Sequence, residues 1–162
     1  QLIAGKKVKM FKPSIDTRCA KNVVASRNGI DIPAISISRI SDLEKYEADV
    51  YCIDEFQFLK GNVKVIEQMA DCGKKFFIAG LNLTAEKKPF GKMADLLCIS
   101  DNIHMLTAIC DNCKNENAVL TYYKGGKDTD IVIGDKQYMA LCRHCYDILT
   151  RQDELNRSQA QA

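Results

Sequence analysis

The chain has 162 residues, of which 46% are hydrophobic and 27% are charged, a composition typical of one globular domain with a small appendage. Its 23 basic and 21 acidic residues leave a net charge of +2, which is too balanced to predict a nucleic-acid-binding surface. The sequence contains no run of about 18 apolar residues and no signal-peptide hydrophobic region near its first residue, so it predicts neither a membrane span nor secretion.

The first predicted elements are two short strands separated by a loop. Residues 7–11 alternate between polar and apolar side chains and predict a strand, and residues 12–18 predict a loop. Asn28-Gly29 is a turn signal, and residues 34–37 predict the second strand. The nearby lysines are interpreted as a solvated edge, and they are Lys6, Lys7, Lys9 and Lys12.

The middle of the chain predicts alternating helices and strands. Residues 41–46 predict a short helix in which Ser41 is the N-cap and Glu44 completes a capping box. An apolar run over 48–53 ends in Asp54 and Glu55, residues 62–72 have helical spacing closed by Gly73, and residues 75–81 predict another buried strand. Continuously apolar strands that alternate with helices favour an α/β fold with a parallel sheet covered by helices.

Two cysteine pairs near the C-terminal end predict a metal site. Cys110, Cys113, Cys142 and Cys145 follow the spacing C-x2-C-x28-C-x2-C, and two such knuckles form the tetrahedral thiolate cage that zinc prefers. Four protein ligands indicate a structural ion, so His144 is not needed, and two disulfides or free thiols are the alternative. The remaining cysteines are scattered, which favours free thiols and a reducing, cytoplasmic compartment. The residues between the pairs predict a long loop with a flexible tip at 124–130.

The paired carboxylates at the end of the 48–53 run are candidate active-site residues. Ligands of open α/β sheets bind outside the carboxyl ends of the strands, and a hydrophobic strand that ends in Asp is the pattern that holds Mg²⁺. An adjacent Glu can take a proton from an attacking hydroxyl. Because side chains alternate along an extended strand, we expect Asp54 and Glu55 to point to opposite sides. Two solvated loop carboxylates are the alternative.

Five collinear segments resemble the type II thymidine kinase family. Residues 50–58 resemble its strand and I-D-E-x-Q-F motif, and residues 11–18 its K-P-x-x-D-x-R loop. Residues 79–81 followed by 88–91 are similar to its A-G-L-D and P-F-G segments. Residues 106–113 resemble its L-T-A-x-C-x-x-C approach to the zinc site, and residues 133–145 the return from it. Together these segments extend over most of the chain up to about Tyr146.

The resemblance implies a RecA-like P-loop-kinase sheet with helices on both faces, plus a small zinc-ribbon lasso subdomain. It divides the chain into a nucleotide-kinase core over 1–105, the lasso over 106–149 and a polar tail over 150–162, which is either a frayed helix or disordered. The implied reaction moves the γ-phosphoryl of ATP to the 5′-hydroxyl of thymidine in nucleotide salvage, with deoxyuridine as another possible substrate. The family also implies a homotetramer, feedback inhibition by thymidine triphosphate, and no nucleic-acid or membrane partner.

The resemblance also assigns roles by position. It makes Glu55 the general base, Asp54 the ligand of Mg²⁺ with ATP, and Asp16, Arg18 and Gln57 further cofactor-binding residues. The implied thymidine site is formed by the side chains or backbone of seven residues, which are Phe58, Leu81, Phe90, Thr121, Ile133, Gly134 and Tyr138. Each apolar member has a core role as its alternative, and Gln57 has a backbone hydrogen bond as its alternative.

Three departures from the family pattern qualify these implications. The phosphate-binding loop G-x-x-x-x-G-K-S/T is absent, and we expect it upstream of Gln1. Asn82 stands where the family has Asp, and Ala85 where many members have Phe. The stretch from Gly134 to Tyr138 is one residue short. The alternatives are therefore a catalytically impaired relative, or a zinc-ribbon protein that binds nucleic acid.

Overall fold

The computed structural model describes residues 5–16, 23–25, 31–125 and 137–160. Within it the chain forms two compact units, one over Gln1–Asn82 and Pro89–Asn102 and the other over Leu83–Lys88 and Ile103–Ala162. The predicted division at 105/106 and 149/150 stays a prediction. The predicted turn at Asn28-Gly29 lies outside the described residues.

The first unit is built on a four-stranded parallel sheet. Its strands are β1 (Val8–Pro13), β4 (Ile35–Ile37), β5 (Val50–Ile53) and β6 (Lys75–Ile78), in the order β4-β1-β5-β6. A separate antiparallel pair consists of β2 (Val23–Ala25) and β3 (Asp31–Pro33). The central pair is in register from Val8 opposite Val50 to Phe11 opposite Ile53. The predicted α/β class with a parallel sheet is confirmed.

Aromatic side chains fill the core beside the central strands. Phe11 stacks on Tyr51 with ring centroids 5.7 Å apart, and Tyr51 stacks in turn on Phe76 at 5.1 Å. Phe11, Tyr51 and Phe56 are fully buried, and the Tyr51 hydroxyl donates a hydrogen bond to the carbonyl oxygen of Tyr46 at 2.5 Å. Stacked aromatic rings bury large apolar areas, so this cluster fixes the carboxyl ends of β1 and β5 as a rigid platform.

The helices of this unit begin and end close to the predicted positions, with one correction. The predicted helix over 62–72 is confirmed as α1 (Lys64–Asp71), and Gly73 follows it with φ 83°, as a C′ residue does. The next helix along this unit is α2 (Met93–Ile99). The predicted helix over 41–46 is a 3₁₀ helix over Ile40–Lys45. The Ser41 N-cap is wrong, because the Asp42 carboxylate accepts the backbone N–H of Arg39 instead.

The strand over 75–81 is shorter and less buried than its sequence predicts. It ends at Ile78, and its side chains alternate between exposed and half-buried, with 48% of Phe77 exposed. The prediction of a buried strand is wrong because β6 forms an edge of the sheet that the described residues build. A continuous apolar run does not distinguish a central strand from an edge strand.

Strand β1 extends two residues further than predicted and buries a lysine. Lys12 and Pro13 belong to the strand rather than to the loop, and only 1% of Lys12 is exposed. The interpretation of the lysines as a solvated edge is therefore wrong for Lys12, whose position beside Ser36 of β4 places it inside the sheet.

The second unit is a small cysteine-bearing subdomain. Strands β7 (Leu120–Tyr123) and β8 (Tyr138–Leu141) form an antiparallel pair, and α3 (Arg143–Ala160) follows β8 directly. In the part of this unit that the structure describes, the apolar core contains seven buried residues, three of which are cysteines: Cys110, Ala118, Leu120, Leu141, Cys142, Cys145 and Tyr146. Part of the predicted tail, residues 150–160, is helical. Among the described residues no helix is both long and apolar enough to span a membrane.

Candidate functional site

The site begins where β5 ends. Asp54 accepts the backbone N–H of Glu55 at 3.0 Å, and its own N–H donates to the carbonyl oxygen of Phe11. Glu55 has a left-handed backbone conformation, with φ 51° and ψ 40°, which is costly for a residue with a Cβ atom. We expected side-chain alternation along the strand to separate the two carboxylates. That argument is wrong, because the strand ends at Ile53, before Asp54 and Glu55.

Gln57 holds Glu55 through a buried amide. Its Nε2 donates to Glu55 Oε2 at 2.5 Å, and its Oε1 accepts the backbone N–H of Leu81 at 3.1 Å. Only 3% of Gln57 is exposed, so both bonds are shielded from water. Because a buried amide needs partners on both ends, these two bonds orient Glu55 and fix the segment that begins at Leu81. The predicted binding of cofactor by Gln57 stays a prediction.

Two glycines allow this packing. A Cβ atom on Gly80 would lie 2.5 Å from Gln57 Oε1, and a Cβ atom on Gly91 would overlap the carbonyl group of Gln57. Gly91 also has φ 54°, a conformation that side chains disfavour. The backbone on both sides of residues 82–90 therefore approaches Gln57 as closely as only glycine permits.

Phe58, three residues after Glu55, belongs to an aromatic pair and lines a cavity. Phe58 and Phe90 meet edge to face, with ring centroids 5.3 Å apart and planes at 82°. Phe58 also lines a cavity of about 310 Å³ at the carboxyl ends of β1 and β4, together with Pro13, Ser14, Ile15, Ile37, Ser38, Arg39 and Lys60. This is the edge of a parallel sheet at which ligands bind.

The other predicted site residues are distributed as follows. Asp16 is 9% exposed and follows β1, with its N–H bonded to the carbonyl oxygen of Pro13. Leu81 is 49% exposed. Thr121 and Tyr138 lie on β7 and β8 of the second unit, where the ring of Tyr138 lies 5.2 Å from that of Tyr123. Three predicted residues lie outside the described residues: Arg18, Ile133 and Gly134.

The four cysteines converge as their spacing predicts. All four Sγ atoms lie within 4.8 Å of one another, and Cys113 Sγ is 3.8 Å from Cys142 Sγ. A tetrahedral zinc site with Zn–S bonds of about 2.3 Å requires sulfurs roughly 3.8 Å apart. His144 is exposed and does not belong to the cluster. Among the described residues outside it, Cys52, Cys72 and Cys98 are free thiols, as predicted. The four sulfurs can therefore hold one metal ion.

Hydrogen bonds and burial shift the pKa values of two of the four cysteines in opposite directions. Burial opposes ionisation of Cys110, but backbone N–H groups of Cys113, Cys142 and Asn112 lower its pKa to about 6. The Asn112 amide donates to Cys145 at 3.3 Å and favours its thiolate, yet burial and the neighbouring sulfurs raise the pKa of Cys145 to about 11. Four adjacent thiolates repel one another, so a divalent cation is what allows all four to be deprotonated.

Sequence reasoning missed Tyr146, which donates to the carbonyl oxygen of Ala85 at 2.6 Å although 61 positions separate the two residues. A tyrosine directly after the last cysteine ligand is the only signal for it. The burial of Lys12 was also missed, because a lysine in a short basic run is usually exposed to solvent.

Comparisons with known proteins agree with this geometry. A family model described as thymidine kinase matches residues 2–146. A protein named thymidine kinase from Pseudothermotoga lettingae is 35% identical over 150 residues, which cover 90% of this chain and 81% of that protein. Since the match includes both the β5 carboxylates and the four cysteines, the chain belongs to the thymidine kinase family.

Proposed function

We propose that this protein transfers the γ-phosphoryl group of ATP to the 5′-hydroxyl of thymidine, as an enzyme of nucleotide salvage. The observation that carries the proposal is Glu55, which is held beside Asp54 by the buried amide of Gln57 at the carboxyl end of a parallel strand. Membership in the thymidine kinase family and the name of the relative from Pseudothermotoga lettingae support this choice of substrate.

In this proposal Glu55 accepts the proton of the 5′-hydroxyl as that oxygen attacks phosphorus. A carboxylate within hydrogen-bond reach of an attacking hydroxyl accelerates such a step by about 10²–10⁴-fold. The Gln57 Nε2 bond fixes the rotamer of Glu55, so the acceptor oxygen is in place before substrate arrives. The left-handed backbone of Glu55 is the strain that this placement requires.

Asp54 fits the role of Mg²⁺ ligand, because carboxylate oxygens are the ligands that Mg²⁺ prefers and Asp54 follows the buried strand directly. When bound, Mg²⁺ neutralises charge on the transferred phosphoryl group. Asp16, at the end of the neighbouring strand β1, is the second candidate carboxylate, and Arg18 and the backbone of an upstream phosphate loop are the proposed phosphate contacts.

Phe58 and Phe90 are the proposed walls of the thymine pocket, since Phe58 follows Glu55 by three residues, lines the cavity and meets Phe90 edge to face. Leu81, Thr121, Ile133, Gly134 and Tyr138 are the further proposed contacts. Stacking and apolar contact suit the flat, methylated thymine ring.

Zinc is the proposed occupant of the cysteine cluster, because four thiolate ligands at tetrahedral spacing form a closed structural site. Elemental analysis of the purified protein is expected to give about one zinc per chain. Cadmium or iron at full occupancy in its place would contradict the choice of zinc.

A homotetramer, inhibition by thymidine triphosphate and a cytoplasmic location are proposed from the family. An exposed apolar segment in the second unit supports an assembly: Met105, Leu106 and Ile109 are 65%, 87% and 58% exposed. Sedimentation equilibrium measures the assembly directly, and a monomer at micromolar concentration would exclude the tetramer.

The experiment that tests the function uses the protein expressed from its complete reading frame. Radiolabelled γ-phosphate from ATP is expected on thymidine 5′-monophosphate, with deoxyuridine as a slower substrate and uridine and adenosine as controls. An Asp54→Asn variant is expected to raise the Mg²⁺ concentration needed for half-maximal rate. Equal phosphorylation of uridine and thymidine would contradict a thymidine site, and absence of any transfer would contradict the kinase.

A further inference from the structure

We infer that Tyr146 is a positioning residue for nucleoside binding, because it ties the loop over residues 83–88 to the metal centre. The inference rests on the proposed function, since that loop lies between the proposed pocket residues Leu81 and Phe90. It assigns to the cysteine cluster a second effect, which is to set the conformation of one wall of the nucleoside site.

The loop is internally rigid. Thr84 organises it, because its Oγ1 accepts the N–H groups of Glu86 and Lys88 at 3.3 Å and its backbone bonds to Lys87 and Lys88. Lys87 has φ 61°, so the turn is tight and left-handed at this residue. A compact turn of this kind moves as one body, so a single anchor is enough to place it.

The neck of the loop is closed as well. The Phe90 N–H donates to the carbonyl oxygen of Asn82 at 3.0 Å, directly beside the positions that carry Leu81 and Phe90. The backbone on either side of this neck is clamped against Gln57 by Gly80 and Gly91. The loop is therefore joined to Leu81 and Phe90 through this closed neck.

Tyr146 provides the anchor. Its hydroxyl donates to the carbonyl oxygen of Ala85 at 2.6 Å, and Lys87 Nζ lies 4.1 Å from the centre of its ring. Leu83 packs against the same buried cluster, to which Tyr146 belongs with 8% of its surface exposed. Two polar contacts and one apolar contact thus hold a six-residue segment, which accordingly belongs to the second unit rather than to the first.

The metal centre fixes Tyr146 in turn. Tyr146 follows Cys145 in the first turn of α3, and its N–H donates to the carbonyl oxygen of Cys142 at 3.0 Å. Two of the four metal ligands therefore hold the backbone that carries its ring. Because the ring is placed by the ligands and the loop is placed by the ring, ion binding and the conformation of residues 83–88 are coupled.

The test compares Tyr146→Phe with Tyr51→Phe. Tyr51 is a matched control, because it is also a buried tyrosine whose hydroxyl donates to a backbone carbonyl, that of Tyr46. Tyr146→Phe is expected to raise the thymidine KM by about five-fold with kcat and the KM for ATP unchanged, since one hydrogen bond is lost. Tyr51→Phe is expected to lower thermal stability without changing the thymidine KM.

A second readout does not depend on activity. Amide hydrogen exchange at Lys87 and Lys88, whose N–H groups bond within the loop, is expected to accelerate in Tyr146→Phe and, without any substitution, after zinc is removed by a chelator. Lys87→Met, which removes the cation over the ring, is expected to act in the same direction and less strongly. The inference would be overturned if Tyr146→Phe and Lys87→Met both left the thymidine KM and the amide exchange of Lys87 and Lys88 unchanged. An inactive wild-type protein would instead refute the proposed function. The exchange result would then still decide whether Tyr146 holds residues 83–88.

Discussion

The two units of this protein differ in the residues that form their interiors. The first contains a continuous apolar cluster of thirteen buried residues around a four-stranded sheet. Among the described residues of the second, the buried cluster has seven members, and three of them are cysteines that belong to the metal-binding set. Small domains that cannot bury enough apolar surface depend on metals or disulfides. We therefore expect the first unit to be stabilised mainly by its apolar core, and the second to depend on a metal ion bound by its sulfurs.

The proposed catalytic carboxylates and the cysteine cluster lie in different units. The carboxylates of the proposed chemistry, Asp54 and Glu55, lie at the end of β5 in the first unit. The four cysteines that can hold a metal ion together lie in the second. Changes to one group are therefore expected to leave the other group intact, and the first two predictions below test that separation.

The largest expected effect is on the second unit. Cys110→Ser removes a fully buried ligand, and structural zinc typically contributes about 10–16 kcal/mol to the folding of small zinc domains. We expect loss of bound zinc and loss of the circular-dichroism and exchange signals of β7 and β8. Cys98→Ser, at an exposed free cysteine, is the control and should retain both. Retention of zinc and of native stability in Cys110→Ser would contradict the ligand assignment.

The next effect is on chemistry alone. Glu55→Gln keeps an oxygen that can accept the Gln57 bond but removes the base, so kcat is expected to fall by about 10²-fold or more. Thymidine affinity and zinc content should stay at wild-type values. Glu67→Gln, on the exposed face of α1, is the matched control. The assigned role is wrong if kcat stays near normal under conditions in which chemistry limits turnover.

A smaller effect is expected from Gln57→Leu. The substitution leaves the Glu55 carboxylate and the Leu81 N–H without their buried partner, which costs about 1–3 kcal/mol. Urea denaturation of the first unit should show this loss, and kcat should fall because Glu55 is no longer oriented. Gln68→Leu, at an exposed position of α1, should change neither. A stable variant with wild-type kcat would show that Gln57 does not position Glu55.

The smallest effect concerns the 3₁₀ helix over Ile40–Lys45. The Lys45 ammonium, followed by the Arg39 backbone N–H, lowers the pKa of Asp42 in the folded protein. A depressed folded pKa means that the stabilisation is present above the unfolded pKa of about 3.9 and is lost as pH falls through the folded value. Because the pair is solvated, Asp42→Asn should cost less than about 1 kcal/mol at pH 7. The difference from wild type should shrink below pH 4, and a difference that grows there would contradict the sign.

The sequence predicted the parts of the fold that depend on local pattern. Alternation of polar and apolar residues predicted β1, an apolar run predicted β5, and helical spacing closed by Gly73 predicted α1, because each signal lies within a few neighbouring residues. The paired cysteines predicted their own convergence because each C-x2-C pair is a recognisable local motif. The sequence failed where a partner strand or a distant contact decides the outcome. The pattern of residues 75–81 does not indicate that β6 lies at a sheet edge, and the residues near Lys12 do not indicate that it is buried.

The candidate site shows the same limit. Its carboxylates were predictable from the end of a buried strand, but the left-handed backbone of Glu55 was not, because a glutamate rarely adopts it without support. The Gln57 bonds to Glu55 and Leu81, and the Tyr146 bond to Ala85, join residues 2, 24 and 61 positions apart. Only the first of these separations lies within reach of a local motif.

Hydrogen exchange before and after chelation tests the central claim most directly, because it measures both units in one sample. After zinc removal, the amides of β7 and β8 are expected to lose protection, while those of β1 and β5 keep it. Return of zinc should restore the protection of β7 and β8. Unchanged protection of β7 and β8 in the metal-free protein, or equal loss in β1 and β5, would contradict the account that the metal holds one unit and the apolar core holds the other.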